Sequence, residues 1–155
     1  MHIRSAKESD APGIWKVHIA SVRDLACGDY PDEIVEAWAQ PRPIEQLQAS
    51  IAANPFYVAE KDREIIGYAE LEIHLKRVRS VYVAPSHSRQ GVASALLAAL
   101  EIEARKYGLD ELRLESSLNA VPFYEANGFE QVQRGRFQLG NNLEMTSIHM
   151  RKIIR

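Results

Sequence analysis

The stretch that decides the fold reads Val81-Tyr82-Val83-Ala84-Pro85-Ser86-His87-Ser88-Arg89-Gln90-Gly91-Val92-Ala93-Ser94-Ala95-Leu96-Leu97. It predicts a strand that stops at Pro85, then a loop, then a helix that begins at about Gly91. The first N–H groups of a helix lack partners and its dipole adds partial positive charge, so a diphosphate can bind there. Gly91 and Ala93 would let the diphosphate approach the backbone, and Arg89 can add a formal charge. These residues fit either a phosphate site or a plain connection between two elements.

Outward from this stretch, the sequence predicts a single domain over residues 1–155. Apolar residues at helical spacing predict helices that begin near residue 12, at Pro31 and near Ile44, and further helices over 91–107 and 122–127. Extended segments are predicted at 2–4, 56–60, 64–74, 78–83, 112–115, 129–137 and 143–153. Helices followed by strands, with one crossover in the middle, indicate a mixed α/β sheet.

The predicted strand over 64–74 alternates two kinds of residue. Its apolar members are Ile65, Ala69, Leu71 and Ile73. They alternate along the strand with a second set, which is Tyr68, Glu70, Glu72 and His74. Successive side chains of a strand point to opposite faces. We therefore expect 56–60 and 64–74 to form an antiparallel hairpin with one polar face.

Composition and charge exclude several classes of protein. The 155 residues are 46% hydrophobic and 26% charged, which is typical of a globular domain. The chain has 19 Lys plus Arg and 21 Asp plus Glu, so its net charge is −2. Because there is no excess of basic residues, we expect no nucleic-acid partner. The polar start resembles neither a secretion signal nor a membrane anchor, so we expect a cytoplasmic protein with no membrane partner. A single cysteine, Cys27, allows no intrachain disulfide.

Two motifs resemble those of the GNAT superfamily of acetyl-coenzyme A dependent N-acetyltransferases. The first is Ser88-Arg89-Gln90-Gly91-Val92-Ala93, against a family pattern of Arg or Gln, two variable residues, Gly, one variable residue, then Gly or Ala. The second is Asn119-Ala120-Val121-Pro122-Phe123-Tyr124-Glu125-Ala126-Asn127-Gly128-Phe129, similar to the family's Asn, Phe-Tyr-Glu and Gly-Phe motif. Ser88 departs from the pattern because it lacks the long side chain usual there. Backbone amides and Arg89 should therefore carry the pyrophosphate contacts.

The resemblance implies a fold and a co-substrate. The fold is a central, mostly antiparallel twisted sheet of six to seven strands flanked by helices, with a V-shaped splay at the cofactor loop. The co-substrate is acetyl-coenzyme A (acetyl-CoA), whose pantetheine amides would pair with the strand before the loop. The implied cofactor-binding residues are Val81, Tyr82, Val83, Ser88, Arg89, Gln90, Gly91, Val92, Ala93, Ser94, Asn119, Phe123 and Tyr124. We also expect a homodimer, formed through the apolar last strand over 143–153.

The implied reaction is transfer of an acetyl group to a primary amine by direct attack in a ternary complex. It requires a neutral amine, a polarised carbonyl and a proton for the leaving thiolate. The resemblance makes Tyr124 the general acid; the alternative is a tyrosine that packs one face of a short helix. Asn119 could cap that helix, bind the cofactor, or do both through the two ends of its amide. A backbone N–H of the strand ending at Val83 should polarise the carbonyl.

Candidate bases lie on the polar face of the strand over 64–74. Members of the superfamily often use a carboxylate near the start of the next strand, but this chain has Arg-Val-Arg at 77–79. Glu72 is the first candidate base, and Glu70 and His74 lie beside it as candidate contacts to the acceptor. The alternative is a solvated strand face without a role.

The histidines predict no metal site. They stand at positions 2, 18, 74, 87 and 149, with no pair at metal-ligand spacing, so we expect no metal. Those at 18 and 87 are lesser base candidates. The chain has no Gly-flanked serine elbow and no histidine near Cys27, so nucleophilic catalysis by serine or cysteine has no support.

The family resemblance implies that the acceptor lies against the first two helices and the loop between them. Residues 24–41 contain no Lys or Arg, and their acidic members are Asp24, Asp29, Asp32, Glu33 and Glu36. We therefore expect a cationic amine, small or on a peptide, with candidate contacts from Asp24, Tyr30, Glu33, Trp38, Glu70 and His74. The alternative is an acidic helix start stabilised by its own dipole.

Basic charge concentrates around the phosphate loop. No acidic residue lies between Glu72 and Glu101, whereas this window contains Lys76, Arg77, Arg79 and Arg89. Such a window suits a polyanionic cofactor. Two other functions remain open from the residues alone: a coenzyme A binding or sensor module without catalysis, and a structural α/β protein with a glycine-containing loop.

Overall fold

A computed structural model describes residues 1–25, 28–140 and 142–155. In chain order its elements are β1 (His2–Ser5), α1 (Ala11–Leu25), α2 (Asp32–Ala39), α3 (Ile44–Ala53), β2 (Phe56–Lys61), β3 (Glu64–Glu72), β4 (Arg77–Val83), α4 (Val92–Lys106), β5 (Glu111–Ser116), α5 (Val121–Ala126), β6 (Glu130–Gln138) and β7 (Glu144–Ile153). Cys27, for which we predict no disulfide, lies outside the described residues. No helix of the described ranges is long and apolar enough to cross a membrane.

The strands form one sheet in the order β1-β2-β3-β4-β5-β7-β6. Every neighbouring pair is antiparallel except β4 and β5, which run parallel. Parallel neighbours need a crossover, and the loop with α4 supplies it. The predicted mixed α/β fold with a mostly antiparallel sheet is confirmed.

β4 and β5 meet at one end and separate toward the other. A single bridge, between Arg77 and Arg113, joins them. Beyond it β4 stays paired with β3 as far as Val83, while β5 stays paired with β7 as far as Ser116. Because each strand follows a different neighbour, the two diverge and form the predicted V.

Helices cover both faces of the sheet. On one face, Leu96, Leu97 and Leu100 of α4 pack against β3, β4 and β5. On the other, α1 and α3 pack against β2 and β3. Gly67 of β3 lets the start of α4 lie close, because a Cβ there would come within 3.1 Å of Leu96 Cδ1 and 3.0 Å of the Tyr82 carbonyl oxygen. This contact positions the loop before α4.

The prediction that β3 has one polar face is wrong. Tyr68 is 3% exposed and Glu70 is 0% exposed, because β3 is a central strand with α4 on one face and α1 and α3 on the other. β3 also ends at Glu72, and the exposed His74 lies in a short 3₁₀ turn over Ile73–Leu75. Alternation of polar and apolar residues indicates two faces, but it does not show what covers each of them.

β7 is unable to form the dimer contact that we expect from its apolar sequence. It lies between β5 and β6 and forms backbone hydrogen bonds with both. Its apolar side chains, such as Met145 and Met150, are buried within the chain. The homodimer remains a prediction, but β7, the strand that suggested it, no longer supports it.

Candidate functional site

A cavity of about 520 Å³ lies in the V between β4 and β5. The two motifs that carry the family resemblance both face it. All the candidate cofactor-binding residues line this cavity except Gln90, which is exposed to solvent. The fold therefore gathers segments more than 20 residues apart in the chain around one space.

Two left-handed residues shape the loop between β4 and α4. Arg89 has φ 59° and Gly91 has φ 80°. The Ala95 N–H donates to the Gly91 carbonyl at 3.1 Å, so the N–H groups of residues 92–94 have no acceptor within the helix. A Cβ at Gly91 would meet no atom within 4 Å, which leaves open space at the helix start. Free amides, a helix dipole and open space together fit a pyrophosphate.

Asn119 carries a buried acceptor without a partner. Its Oδ1 is shielded from solvent and has no hydrogen-bond partner among the described residues, and Asn119 lines the cavity. It lies in a 3₁₀ turn before α5, and no side-chain cap hydrogen bond forms at the start of α5. A buried carbonyl without a partner costs about 1–3 kcal/mol. Asn119 therefore fits an N–H donor from a ligand better than it fits a helix cap.

Tyr124 is packed between aromatic rings and also lines the cavity. It is 8% exposed, and its ring lies 5.0 Å from Phe123 and 5.7 Å from Phe129, between centroids. Burial, and to a smaller extent Tyr82, raises the pKa of the Tyr124 phenol well above its usual value. The phenol therefore keeps its proton at neutral pH.

A second cavity, of about 220 Å³, lies on the α1 side of β4. It shares with the first cavity the residues Trp38, Arg79, Ser80, Tyr82 and Phe137. Its other walls come from α1, α3, β3 and the segments over 37–42 and 139–140. A molecule in the second cavity would meet a molecule in the first one at β4.

His18 joins a hydrogen-bonded aromatic group in the second cavity. Its Nε2 donates to the Trp38 carbonyl at 2.8 Å, so its Nδ1 accepts from the Tyr68 hydroxyl at 3.0 Å. The Trp38 indole N–H donates to the Tyr82 hydroxyl at 3.0 Å. Burial lowers the pKa of His18 below its usual value. Both ring nitrogens are engaged, which argues against His18 as a free base.

The glutamates of β3 do not line either cavity. Glu70 accepts from Arg42 at Oε1 and from Asn54 at Oε2, each at 2.8 Å. Glu72 accepts a hydrogen bond from Arg77 at 2.7 Å. Arg77 is the first residue of β4, whereas the phosphate loop follows the last one. The structure thus separates our first candidate base from the cofactor loop.

The acidic residues over 24–36 do not line the cavities either. Asp24 and Glu33 are exposed, and Tyr30 is buried with its hydroxyl donating to the Thr146 carbonyl at 2.6 Å. Among all the candidate acceptor contacts, Trp38, which follows this segment, is the one that lines a cavity. The alternative interpretation, an acidic helix start that faces solvent, agrees with these positions.

Glu115 is a carboxylate at the cavity that sequence reasoning missed. Among the described residues that line either cavity, it is the only Asp or Glu. Its Oε2 accepts from Ser147 Oγ at 2.7 Å, and its Oε1 lies 3.0 Å from His149 Nδ1. A single glutamate at the end of a strand gives no sequence signal. Within the described ranges, no group of three or more His, Cys, Asp or Glu could hold a metal.

Two curated relatives carry names of N-acetyltransferases. The uncharacterized N-acetyltransferase YafP of Escherichia coli (strain K12) is 28% identical over 138 residues, which cover 89% of this chain and 87% of that protein. An aminoglycoside N(6')-acetyltransferase type 1 of Stenotrophomonas maltophilia is 31% identical over 124 residues, covering 63% of this chain and 81% of that protein.

Solved structures share the whole fold. A GCN5-related N-acetyltransferase from Rhodopseudomonas palustris has a TM-score of 0.92 at 25% identity, covering 98% of this chain and 94% of that chain. The PaiA N-acetyltransferase of Thermoplasma acidophilum, solved with coenzyme A, has a TM-score of 0.83 at 24% identity, covering 98% of each chain. A family model described as an acetyltransferase (GNAT) domain matches residues 26–153, which include both motifs. The chain therefore belongs to the GNAT family of acetyltransferases.

Proposed function

We propose that this acetyltransferase moves an acetyl group from acetyl-CoA to a primary amine by direct attack in a ternary complex. One observation carries the proposal. The free amides of residues 92–94, the unpaired Oδ1 of Asn119 and the phenol of Tyr124 face the same cavity. These groups suit the pyrophosphate, an amide and the thiol of coenzyme A. A structural neighbour solved with coenzyme A supports the same co-substrate here.

Binding would use backbone groups more than side chains. The amides of residues 92–94 and the Arg89 guanidinium would hold the pyrophosphate. Asn119 Oδ1 would accept an amide N–H, and the edge of β4 that the V leaves unpaired can pair with an extended ligand. When bound, acetyl-CoA supplies the thioester carbonyl that the amine attacks and the thiol that leaves.

Tyr124 would supply the proton for the leaving thiolate. Its raised pKa keeps the phenol protonated, and its position among Phe123 and Phe129 excludes water from one side. A thiolate is a poor product in a dry site, which favours the transfer of this proton. Acid catalysis of this kind contributes about 10²–10⁴-fold to a rate.

We propose Glu115, in place of Glu72, as the group that receives the amine proton. An alkylamine has a pKa of about 10.4, so holding it neutral at pH 7 costs about 4.6 kcal/mol. Glu115 lines the first cavity, two residues beyond the bridge at which β4 and β5 begin to diverge. Glu72 is paired with Arg77 and does not line this cavity. Ser147 and His149 fix the orientation of the Glu115 carboxyl group.

The test combines cofactor binding with release of free thiol from acetyl-CoA. Coenzyme A should raise the melting temperature, and thiol release should require an amine. Tyr124→Phe should lower kcat by about 10²-fold or more while the melting-temperature shift persists. Tyr107→Phe, at an exposed position after α4, is the matched control and should leave both unchanged.

Two outcomes would contradict the proposal. A sensor module would show the melting-temperature shift but no amine-dependent thiol release with any acceptor. A purely structural protein would show no shift with coenzyme A.

A further inference from the structure

We propose that the acceptor is an amine that also carries a carboxylate, as an α-amino acid does, and that Arg79 binds this carboxylate. The inference rests on the proposed function, because it names the acceptor of the same reaction. The charges of the second cavity favour such an acceptor. Arg42 and Arg79 line that cavity, and no Asp or Glu is found among the described residues that line it.

One arginine of this region is paired less closely than its neighbours. The cluster contains three arginines and two glutamates, namely Arg42, Arg77, Arg79, Glu70 and Glu72. Glu70 is paired with Arg42 at 2.8 Å, and Glu72 is paired with Arg77 at 2.6 Å. Arg79 lies 3.9 Å from Glu70 and 3.5 Å from Glu72, and its side chain is 39% exposed. The cluster therefore carries one excess positive charge, and the ion-pair contacts of Arg79 are its longest.

A β-bulge directs Arg79 toward the site. Glu70 pairs with Ser80 and Leu71 pairs with Val78, so Arg79 is an extra residue in β4. A bulge changes the direction of the side chain it carries and is common beside active sites. Arg79 lines both cavities as a result, at the place where an acceptor would meet the thioester.

Arg79 and Glu115 stand on the two arms of the V. Each follows the Arg77–Arg113 bridge by two residues, and both line the first cavity. They form no ion pair with each other. A guanidinium binds a carboxylate well, and a carboxylate binds an ammonium. The pair therefore offers one partner to each charged group of a zwitterionic amino acid.

The remaining walls favour a small acceptor. Their apolar members include Ile14, Trp15, Leu47 and Leu139, and their polar members include His18 and Gln40. The volume of about 220 Å³ is below the roughly 300–1,000 Å³ of pockets for drug-sized ligands. A polycation would place its ammonium groups near Arg42 and Arg79, where like charges repel. The cationic acceptor that we expect from the acidic segment over 24–36 is thus disfavoured.

The experiment compares amines that differ only in the carboxylate. Phenylalanine is paired with phenethylamine and leucine with 3-methylbutylamine, and kanamycin serves as a polycationic acceptor. We expect kcat/KM to be at least about tenfold higher for each amino acid than for its decarboxylated partner. Arg79→Gln should remove this preference, mainly by raising KM for the amino acids, and Arg79→Lys should keep part of it because the charge remains. Arg134→Gln, on an exposed position of β6, removes the same charge elsewhere and should change nothing.

Several results would overturn the inference. Arg79→Gln could lower the rate equally for both members of a pair, which would make Arg79 a residue that acts on the reaction itself. The decarboxylated amines or kanamycin could be the better acceptors, or selectivity could survive Arg79→Gln. In each of these cases a normal melting-temperature shift with coenzyme A, together with turnover, leaves the proposed function intact. Loss of the shift and of turnover with every amine in the wild type would refute both.

Discussion

The two sides of β4 offer different kinds of binding group. On the α4 side, the loop over 84–91 and the start of α4 present backbone N–H groups in front of open space. On the α1 side, the second cavity is built from side chains, such as those of His18, Tyr68 and Arg79, that are held by hydrogen bonds and ion pairs. A substitution on the first side should therefore act through backbone conformation. A substitution on the second side should act through charge, hydrogen bonding and proton transfer.

The largest expected effect tests which glutamate belongs to the reaction. Glu115→Gln should lower kcat by about 10²–10⁴-fold, because the amide no longer accepts a proton while it still accepts the Ser147 hydrogen bond. Glu72→Gln should leave kcat nearly unchanged, because Glu72 is paired with Arg77 outside both cavities. Steady-state thiol release measures both variants. The reverse order of effects would restore Glu72 as the base and refute Glu115.

The buried ion pair of the acceptor side should matter for folding. Glu70→Gln should lower the free energy of unfolding by about 3–5 kcal/mol, because Arg42 would lose its charged partner in a buried place. Glu36→Gln breaks the Arg23–Glu36 pair, which has a similar length of 2.9 Å but is more than half exposed, and should cost less than about 1 kcal/mol. Urea unfolding of both variants gives the comparison. Equal losses would mean that burial of Glu70 is not what makes its pair important.

Two glycines that flank α4 allow the backbone contribution to cofactor binding to be measured separately from the contribution to stability. Gly91 and Gly108 flank the helix with φ of 80° and 77°, and a Cβ would meet no atom within 4 Å at either one. Alanine at either position should cost about 1–2 kcal/mol of stability through backbone strain. Gly91→Ala alone should also raise KM for acetyl-CoA, because Gly91 lines the first cavity. An equal KM change in Gly108→Ala would remove the loop from the binding site.

The smallest expected effect is a pH dependence on the acceptor side. Burial lowers the pKa of His18 below the 6.5 of an unfolded chain. The unfolded state then binds the proton more readily, so stability is fully present above pH 6.5 and is lost as the pH falls through the lowered pKa of the folded state. His18→Gln should make the decline between pH 7 and 5 shallower, as measured by thermal unfolding. An unchanged slope would show that His18 titrates alike in both states.

Most of the fold could be predicted because its signals are local. The helix predicted at 91–107 is observed at Val92–Lys106, and the strand predicted at 78–83 is observed at Arg77–Val83. Apolar spacing and the glycine and proline positions near these ends carry that information. Errors arose where an element's environment is set by distant residues. Glu70 looked solvated in the alternating strand, yet Arg42 and Asn54 cover it.

The acceptor side shows the same limit for function. The acidic run over 24–36 is evident in the sequence, but its side chains at Asp24 and Glu33 face solvent. Glu115 gives no signal in the sequence, and it reaches the cavity only because β5 leaves β4 after one bridge. The direction of Arg79 depends on a bulge in the pairing of β3 and β4. These features depend on strand register, which residue periodicity does not specify.

The sequence by itself determined the family, the order of the elements and the segments that face the first cavity, because a strand, a glycine loop and a helix start are made by residues close together in the chain. Only the tertiary structure decided which charges are paired and which glutamate reaches the cavity. The physical reason is that an ion pair or a buried carboxylate depends on contacts between residues far apart in sequence. Arg42 and Glu70 are 28 residues apart, and Glu115 and Ser147 are 32 apart.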